Sequence, residues 1–415
     1  MSAPAAGAAT PPRLSNFING AFVAPQDGQY IPNYNPATSA VLCDIPASKR
    51  ADVDAAVSAA RAALPAWKAL SYEARADLLD KVAEGITRRA AEMAQLESED
   101  SGKPLALAQR IDVPRAVANF KFFAGAVRHD EVQATHMGDA LNYSQRSAVG
   151  VCGLITPWNL PIYLLSWKVA PALAMGNTVV AKPSELTPRS ASMLAEIMAE
   201  VGIPAGVFNI VHGLGADAGQ ALCEHPDVDL ISFTGGTVTG KRVAATAAPL
   251  FKKLSLELGG KNATVVFADA DFDLAVKGAV RAAFTNQGQV CLAGSRIFVE
   301  QAIYDKFVAA MLKEIAANLK CGDPNSSSFG AVSSLEHRGK VEGYVSRAVA
   351  DGAQVLCGGK RPEGLSAPFD QGAFYEPTLL AGLPPTHPCS REEVFGPLVE
   401  QRWSTGLLCT AERVS

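Results

Sequence analysis

The fold is decided by the stretch Val149-Gly-Val-Cys-Gly-Leu-Ile155, which is followed directly by Thr156-Pro-Trp-Asn-Leu-Pro161. The first segment is continuously apolar and rich in β-branched residues, which is typical of a strand buried on both faces of a parallel sheet. Further apolar segments follow, separated by Ala-rich stretches of helical period, at 178–181, 207–211, 230–233 and 264–267. Strands that alternate with helices in this way indicate an α/β fold with a parallel sheet covered by helices.

The pattern changes on either side of this region. Before it, two amphipathic helices are predicted, Asp52–Ala63 and Ser71–Gly102, with Pro65 as the break between them. After it, a second α/β unit is predicted from Lys261 onward, with one strand over Arg296–Val299 and one helix over Tyr304–Leu319. The segment Asn142–Arg146 alternates enough for an exposed strand.

Composition bounds the class of protein. At 415 residues the chain is long enough for two or three domains. Lys and Arg number 37 against 41 Asp and Glu, and the net charge of −4 gives no electrostatic surface for nucleic acid or anionic membrane. Hydrophobic residues make up 48% of the chain, which is an ordinary globular balance.

The cysteine pattern and the N-terminus indicate a cytoplasmic protein. No two of the eight cysteines are spaced as CxxC, and the six histidines show no metal-binding spacing, so no metal site is predicted. Residues 1–13 lack the cationic start and apolar run of a signal peptide and are predicted to form a flexible tail. The uncharged stretch between Arg146 and Lys168 is interrupted by prolines, which argues against a membrane span.

Polar residues follow two of the predicted strands directly. Asn159 lies on the loop after Ile155, at the end of a strand where ligands of open α/β sheets bind, and its amide is able to donate to a developing oxyanion. Lys182 and Glu185 follow the next strand, where a cation and a carboxylate suit ribose hydroxyls, the carboxylate also repelling the extra phosphate of NADP. Taken singly, these residues also fit a proline-fixed turn at Asn159 and a solvated turn with a helix N-cap at Ser184 or Thr187.

A glycine-rich loop joins the strand ending at Phe233 to the next helix, in the order Thr234-Gly235-Gly236-Thr237-Val-Thr-Gly240. Glycines there allow backbone N–H groups to approach a pyrophosphate at a helix N-terminus. The motif is GxTxxG rather than GxGxxG, and Gly213-Leu-Gly215 is a similar turn candidate.

Two residues offer the chemistry of covalent catalysis. Cys291 lies among small and polar residues, as suits a reachable thiol nucleophile. Glu257 interrupts the apolar run Leu254–Leu258, where desolvation is expected to raise its pKa toward the range of a general base for water. The structural alternatives are an inert core cysteine and a paired structural carboxylate.

Together these segments resemble the aldehyde dehydrogenase superfamily. The resemblance runs from about Asn16 to Val399 and rests on five motifs in a fixed order: PWNLP, KPSE, FTGGTxxGK, LELGGKN and NQGQxC. It implies that Cys291 attacks the aldehyde carbon, that Asn159 and the backbone N–H of Cys291 hold the oxyanion, and that Glu257 activates the water that cleaves the thioester. NAD is the implied hydride acceptor. The implied cofactor-binding residues are Ile155, Trp158, Lys182, Glu185, Gly235, Gly236, Thr237, Gly240, Glu393 and Phe395.

The resemblance also implies the domain organisation and the assembly. A Rossmann-like NAD-binding domain is expected over 14–128 and 148–258, a bridging strand segment for oligomerisation over 129–147, and an α/β catalytic domain over 259–399. Residues 400–415 show no family likeness, so the C-terminal part of the catalytic domain and the strand that pairs subunits are expected to be missing. Gly236 replaces the usual serine, which removes one implied phosphate contact.

Within the superfamily, the segments Asn119–Ala124 and Pro157–Trp167 look most similar to 2-aminomuconic and 2-hydroxymuconic semialdehyde dehydrogenases, which act in aromatic amino-acid breakdown. Arg115 is similar in position to their carboxylate-binding arginine, and a bidentate arginine suits that task, although an exposed helix arginine is the alternative. Three other functions stay open at this point: a dehydrogenase for retinal or another aldehyde, a truncated isoform that only binds cofactor or subunits, and a cysteine hydrolase without nicotinamide.

Overall fold

The computed structural model describes residues 11–404, with side chains up to Arg402. Its strands are β1 Asn16–Ile18, β2 Ala21–Val23, β3 Tyr30–Tyr34, β4 Val41–Pro46, β5 Ala134–Met137, β6 Ala140–Tyr143, β7 Val151–Ile155, β8 Thr178–Lys182, β9 Phe208–Ile210, β10 Leu230–Thr234, β11 Lys253–Glu257, β12 Ala263–Val266, β13 Arg296–Glu300, β14 Gln354–Cys357, β15 Thr378–Ala381 and β16 Leu398–Ser404. Its helices are α1 Arg50–Ala69, α2 Tyr72–Arg88, α3 Ala90–Ser101, α4 Leu105–Leu107, α5 Val113–Arg128, α6 Pro161–Ala174, α7 Arg189–Glu200, α8 Gln220–Glu224, α9 Thr237–Ala247, α10 Phe272–Phe284, α11 Tyr304–Asn318, α12 Leu335–Ala350 and α13 Pro388–Arg391.

The larger sheet is the parallel sheet predicted from the apolar segments. Within the described residues its strand order is β11-β10-β7-β8-β9-β1-β2. Strands β7 to β11 are parallel, while β1 and β2 are added antiparallel at one edge. Every residue of β7 and β8 is buried, because helices cover both faces.

The strand order reverses between β7 and β10, and this position defines the cleft. The chain runs from β7 outward through β8 and β9, and then returns to place β10 on the other side of β7. Ligands of open α/β sheets bind at such a switch point, beyond the carboxyl ends of the strands. The last residues of the neighbouring strands there are Glu257, Thr234, Ile155 and Lys182, aligned by the register pairs Thr234–Glu257 and Ile155–Lys182.

A second sheet has the order β12-β13-β16-β15-β14 among the described strands. Its strands are parallel except for β14, which pairs antiparallel with β15. Two hairpins complete the strand inventory, β3–β4 and β5–β6. The predicted mixed α/β class is therefore confirmed.

Separate apolar clusters fill the two faces of the larger sheet. On one face, α2, α3, α5, α6 and α7 pack against β7, β8 and β9, with Leu79, Phe120 and Leu173 fully buried. On the other face, α1, α8 and α9 pack through side chains such as Val57 and Leu222. The second sheet is covered through a cluster that includes Phe284 and Phe307.

The helices before the larger sheet differ from the prediction. Pro65 lies inside α1, which continues to Ala69, because Trp67 in its last turn is buried and donates from Nε1 to the carbonyl of Leu173 at 3.2 Å. This packing outweighs the backbone hydrogen bond that a proline removes. The single helix predicted over 71–102 is divided at Arg89, whose φ of −104° and ψ of 21° leave the helical region.

Two predicted boundaries also shift. Pro12 and Arg13 were expected in the flexible tail, but Asp44 bonds to the Pro12 carbonyl and bridges to Arg13, so these two residues belong to the folded part. Residues 400–404 were expected to lie beyond the folded domain, but they continue β16 between β13 and β15. The buried side chains of Glu400 and Gln401 place this segment inside the second sheet. The predicted tail residues 1–10 and 405–415 lie outside the described residues.

Candidate active site

The proposed nucleophile, Cys291, follows a tight backbone loop after α10. Asn286 and Gln287 adopt left-handed φ values of 53° and 57°, and Gly288 has φ 70°. A side chain at Gly288 would approach the carbonyl oxygen of Gly396 to 2.3 Å, so only glycine fits there. Strain of this kind is concentrated at functional sites, where the surrounding structure maintains it.

The Cys291 side chain is half-buried, so a substrate is able to reach its sulfur. Burial raises the pKa of the Cys291 thiol, and the carboxylates of Glu393 and Glu257 raise it further. The backbone N–H groups of Cys291 and Leu292 face the sulfur and lower the pKa in part. The cysteine is therefore held as a thiol at neutral pH, and both carboxylates lie within electrostatic range of it.

Asn159 lies beside this loop. Its side chain is buried, and Nδ2 donates to the Gln289 carbonyl at 2.9 Å. The second N–H of the same amide is available to another acceptor, since an Asn amide carries two donors. The structure thus brings Asn159 to the loop that carries Cys291, two residues after Gln289.

The structure supports neither of the two predictions for Glu257, which were a desolvated general base and a paired structural carboxylate. The desolvation predicted for its carboxylate is wrong, because the side chain is exposed at the end of β11. Strand β11 is the edge of the larger sheet, so its outer side carries no neighbouring strand among the described residues. The apolar residues around Glu257 that motivated the expectation include Leu254, which is itself 36% exposed.

Glu393 and Phe395 lie beside Gly260 and Trp158, respectively. Glu393 is half-buried, and its Oε1 accepts from the Gly260 N–H at 3.3 Å. A side chain at Gly259 would approach Glu393 Oε2 to 2.0 Å, so the Gly259–Gly260 pair makes room for this carboxylate. Burial raises the pKa of Glu393. Phe395 packs edge-on against Trp158, with ring centroids 5.3 Å apart.

His337 completes this aromatic cluster, and no motif in the sequence singles it out. Its Nε2 contacts the Phe395 carbonyl at 2.6 Å, and its ring lies 5.1 Å from that of Trp158. Phe395 has a left-handed φ of 62°, so the contact holds an unfavourable backbone in place. Burial lowers the pKa of His337 to about 4, so the ring is neutral at physiological pH.

Lys182 and Glu185 meet at the end of β8. Lys182 is buried, and its Nζ donates to the Gly213 carbonyl at 2.9 Å and pairs with Glu185 Oε2 at 3.4 Å. Burial lowers the pKa of Lys182, and the Glu185 carboxylate raises it in part. Glu185 is about one third exposed, so its oxygens remain accessible to a ligand in the cleft.

The glycine-rich loop leads into α9, whose N-cap is Gly236. A side chain at Gly235 would meet the Phe233 ring at 2.5 Å and one at Gly240 would meet Leu258 at 2.4 Å, whereas nothing lies within 4 Å of one at Gly236. Open space before a helix N-terminus fits the pyrophosphate of a dinucleotide, and Thr237 is exposed to the same space. The residues present therefore fit NAD.

Arg115 lies on the exposed side of α5. Its guanidinium stacks over the Tyr163 ring of α6, 5.5 Å from the ring centroid. It lies one helical turn after Asp112, whose neighbour Lys103 bonds to the backbone of Asn159. This places the arginine near the site, with its charge open to solvent.

Two buried lysines, Lys103 and Lys168, lie near the site and belong to none of the five motifs. Lys103 donates to the Asn159 carbonyl at 3.0 Å. Lys168 donates to Ser232 Oγ at 2.7 Å, and burial lowers the pKa of Lys168 to about 8 while Glu257 raises it. The sequence contains a signal for Lys168, because it is the single charged residue of the otherwise uncharged helix α6. No comparable pattern surrounds Lys103.

Six further cysteines lie in the described region, and two of them, Cys321 and Cys357, are half-buried like Cys291. Cys43, Cys152, Cys223 and Cys389 are buried, and burial raises the pKa of each thiol. No group of three or more metal-ligating side chains occurs within residues 11–402. Among the described helices, none has the length and apolar character needed to cross a membrane.

Comparison with known proteins gives a consistent result. A model of the aldehyde dehydrogenase family matches residues 22–400. The chain is 48% identical to 2-hydroxymuconic semialdehyde dehydrogenase of Pseudomonas sp. (strain CF600), covering 92% of this chain and 80% of that protein. It is 47% identical to 2-aminomuconic semialdehyde dehydrogenase of Danio rerio, covering 93% and 80%. The NAD+ complex of an aldehyde dehydrogenase from Bacillus cereus superposes with a TM-score of 0.91 at 37% identity, over 95% of this chain and 80% of that one.

Proposed function

Because this chain belongs to the aldehyde dehydrogenase family and is an NAD-dependent aldehyde dehydrogenase, we propose that it oxidises a semialdehyde that carries a carboxylate. The favoured substrate is 2-aminomuconate 6-semialdehyde, with 2-aminomuconate as product. Two observations support the site assignment: the Asn159 amide donates to the carbonyl of Gln289, two residues before Cys291, and the Glu257 carboxylate acts electrostatically on the Cys291 thiol.

Catalysis begins with the Cys291 sulfur. Its raised pKa means that the thiol has to lose its proton before attack, and the thiolate then adds to the aldehyde carbon. The resulting oxyanion accepts from the free N–H of the Asn159 amide and from the backbone N–H of Cys291, and these donors stabilise charge that develops only in the reaction. Bound NAD would supply the hydride acceptor, and loss of hydride from the former aldehyde carbon would leave a thioester on Cys291.

Hydrolysis of the thioester then regenerates the enzyme. Glu257 takes a proton from water, and the water oxygen attacks the thioester carbon. The bond between this carbon and the Cys291 sulfur then breaks, which releases the carboxylic acid and leaves the sulfur on the enzyme. Because Glu257 is exposed at the end of β11, its carboxylate is in contact with water. The net change is aldehyde plus NAD+ plus water to acid plus NADH, with protons released to solvent.

The residues of the cleft are assigned to separate parts of the NAD molecule. Lys182 and Glu185 would hold the adenine ribose, and Glu185 favours NAD over NADP. Gly235, Gly236, Thr237 and Gly240 would receive the pyrophosphate. Ile155 and Trp158 would line the groove, and Glu393 and Phe395 would position the nicotinamide ribose.

Substrate selection would rest on Arg115. Its guanidinium is exposed above Tyr163, so it is free to pair with the carboxylate of a muconic semialdehyde. Two relatives named for muconic semialdehydes support this class over retinal, which lacks a carboxylate.

Assembly is a second part of the proposal. The β5–β6 hairpin exposes every residue, and Met137, Leu141 and Tyr143 are each more than half exposed. Apolar side chains on an open hairpin are typical of a subunit contact, so we assign the 129–147 segment to homo-oligomerisation. Size-exclusion chromatography of Leu141→Asp tests this, and an unchanged elution volume would contradict it.

NADH formation from 2-aminomuconate 6-semialdehyde tests the catalytic proposal. Cys291→Ala is expected to abolish it, and retained turnover would show that the nucleophile is assigned wrongly. Arg115→Met is expected to raise KM for the muconic semialdehyde at least about tenfold, while KM for a neutral aldehyde stays the same. Arg110→Met, another exposed arginine of the same segment, serves as the matched control.

A further inference from the structure

A buried charged cluster lies directly behind the proposed oxyanion donor. Lys103, Asp112 and Glu97 each have no solvent-exposed surface. Lys103 Nζ pairs with Asp112 Oδ1 at 3.1 Å. Glu97 Oε2 and Asp112 Oδ2 have no hydrogen-bond partner, although buried polar atoms nearly always find one. A cluster this costly to bury calls for an explanation.

The backbone that carries Lys103 is fixed on several sides. Gly102 ends α3 with φ 73°, and the Lys103 carbonyl accepts from Ser98 Oγ at 2.7 Å. A side chain on Gly102 would approach Pro36 to 2.8 Å, and one on Gly330 would approach the Gly102 carbonyl to 2.0 Å. The backbone from which the Lys103 side chain extends is therefore held in one position.

The Lys103 side chain extends from this backbone to the active-site loops. The Asn159 carbonyl accepts from Lys103 Nζ and from Asn286 Nδ2, both at 3.0 Å. Asn286 belongs to the loop that carries Cys291, and its Nδ2 also lies 3.3 Å from the Gln289 carbonyl. One carbonyl thus joins the buried ion pair to the loop with the nucleophile.

The cluster holds the Asn159 loop at two points. Lys103 binds the carbonyl of Asn159 itself, and Glu97 Oε1 accepts from the backbone N–H of Ile162 at 3.1 Å, at the first turn of α6. Asp112 is the last residue of a π-helical turn over Ala108–Asp112, and such turns are frequent at functional sites.

We infer that Lys103 is a positioning residue, which holds the Asn159 amide where the oxyanion forms, with Asp112 and Glu97 fixing the lysine and the far end of the loop. This inference rests on the proposed function, because it assigns Lys103 a role that acts through Asn159. A donor misplaced by about 1 Å costs on the order of a hundredfold in rate.

The test is a double-mutant cycle on the full chain, with kcat for aldehyde oxidation as the readout. Lys103→Met keeps the aliphatic stem and removes the ammonium group, and it is expected to lower kcat about ten- to a hundredfold. In an Asn159→Ala background, the same change is expected to alter kcat by less than about threefold, because the residue through which Lys103 acts is already absent. Lys103→Met combined with Asp112→Asn removes the uncompensated carboxylate and gives a second variant should the first fold poorly.

Two further measurements separate positioning from general stability. Amide hydrogen exchange is expected to accelerate in residues 156–162 of Lys103→Met, while the rate of Cys291 alkylation by iodoacetamide stays within about twofold of the parent. Lys252→Met is the matched control, since Lys252 is also buried and binds two backbone carbonyls, those of His225 and Val228. It is expected to lower stability and leave kcat unchanged.

The outcomes are distinct. Equal losses of kcat in both backgrounds, or exchange in 156–162 that does not change, would overturn the role of Lys103 while Cys291→Ala still abolishes activity. Turnover that survives Cys291→Ala would instead overturn the proposed function itself.

Discussion

Truncation of Asn159 to alanine tests the oxyanion assignment most directly, and the structure allows its magnitude to be worked out. One N–H of the amide is occupied by the Gln289 carbonyl at 2.9 Å, which leaves the second for the oxyanion. After truncation the Gln289 carbonyl still has Asn286 Nδ2 at 3.3 Å, and the Asn159 backbone carbonyl keeps both of its donors. No buried acceptor is left without a hydrogen-bond donor, so the truncation is expected to lower the reaction rate and not the stability of the fold.

Loss of one oxyanion donor costs on the order of 10²–10³ in kcat, or about 2.7–4 kcal/mol. We therefore expect Asn159→Ala to lower kcat by this factor. Stopped-flow measurement of the NADH burst would report the step directly, since the oxyanion collapses as hydride leaves. The iodoacetamide rate of Cys291 serves as the control, because alkylation forms no oxyanion, and it should stay within about twofold. A variant that binds NAD, melts with the parent and keeps kcat within about threefold would refute the reasoning.

Further tests concern the site, the cofactor and the core. Glu393→Gln removes a carboxylate that raises the pKa of Cys291, so the pH at which iodoacetamide inactivation is half-maximal should fall, and an unchanged or higher midpoint would contradict the assigned influence. Glu185→Ser should improve kcat/KM with NADP relative to NAD by about tenfold or more, because the carboxylate beside Lys182 no longer opposes the extra phosphate; steady-state kinetics with both cofactors decides it. Leu79→Ala, at a fully buried position, should lower the free energy of unfolding by about 2–5 kcal/mol in guanidinium titrations, and a loss below about 1 kcal/mol would show that α2 is less tightly packed than its burial implies.

The sequence predicted the centre of the fold because its signals there are local. Strands β7 and β8 are continuously apolar, and a strand buried on both faces requires that composition. The residues after them, such as Asn159 and Glu185, could be placed at the cleft because parallel strands end at one edge of the sheet. The family assignment and NAD as cofactor, both predicted from the ordered motifs, are confirmed by the comparisons.

The remaining features depend on contacts between distant parts of the chain. Lys103 bonds to a carbonyl 56 positions away, and no pattern around the lysine indicates this. Glu257 was expected to be desolvated because its neighbours are apolar, but its exposure follows from β11 being an edge strand, which sheet order alone decides. Pro65 continues α1 because Trp67 reaches Leu173, a contact of tertiary structure.

The strand order has a practical consequence for protein engineering. Glu257, Thr234, Ile155 and Lys182 terminate neighbouring strands at one rim of the larger sheet, so the turns at the opposite rim carry no residue of the proposed site. Gly202, in the turn between α7 and β9, has a left-handed φ of 85° that favours glycine, so it is best retained, and nothing lies within 4 Å of where its Cβ would stand. A fluorescent or affinity peptide grafted at this turn would leave the chemistry on the far rim undisturbed, and would label the enzyme without altering either terminus.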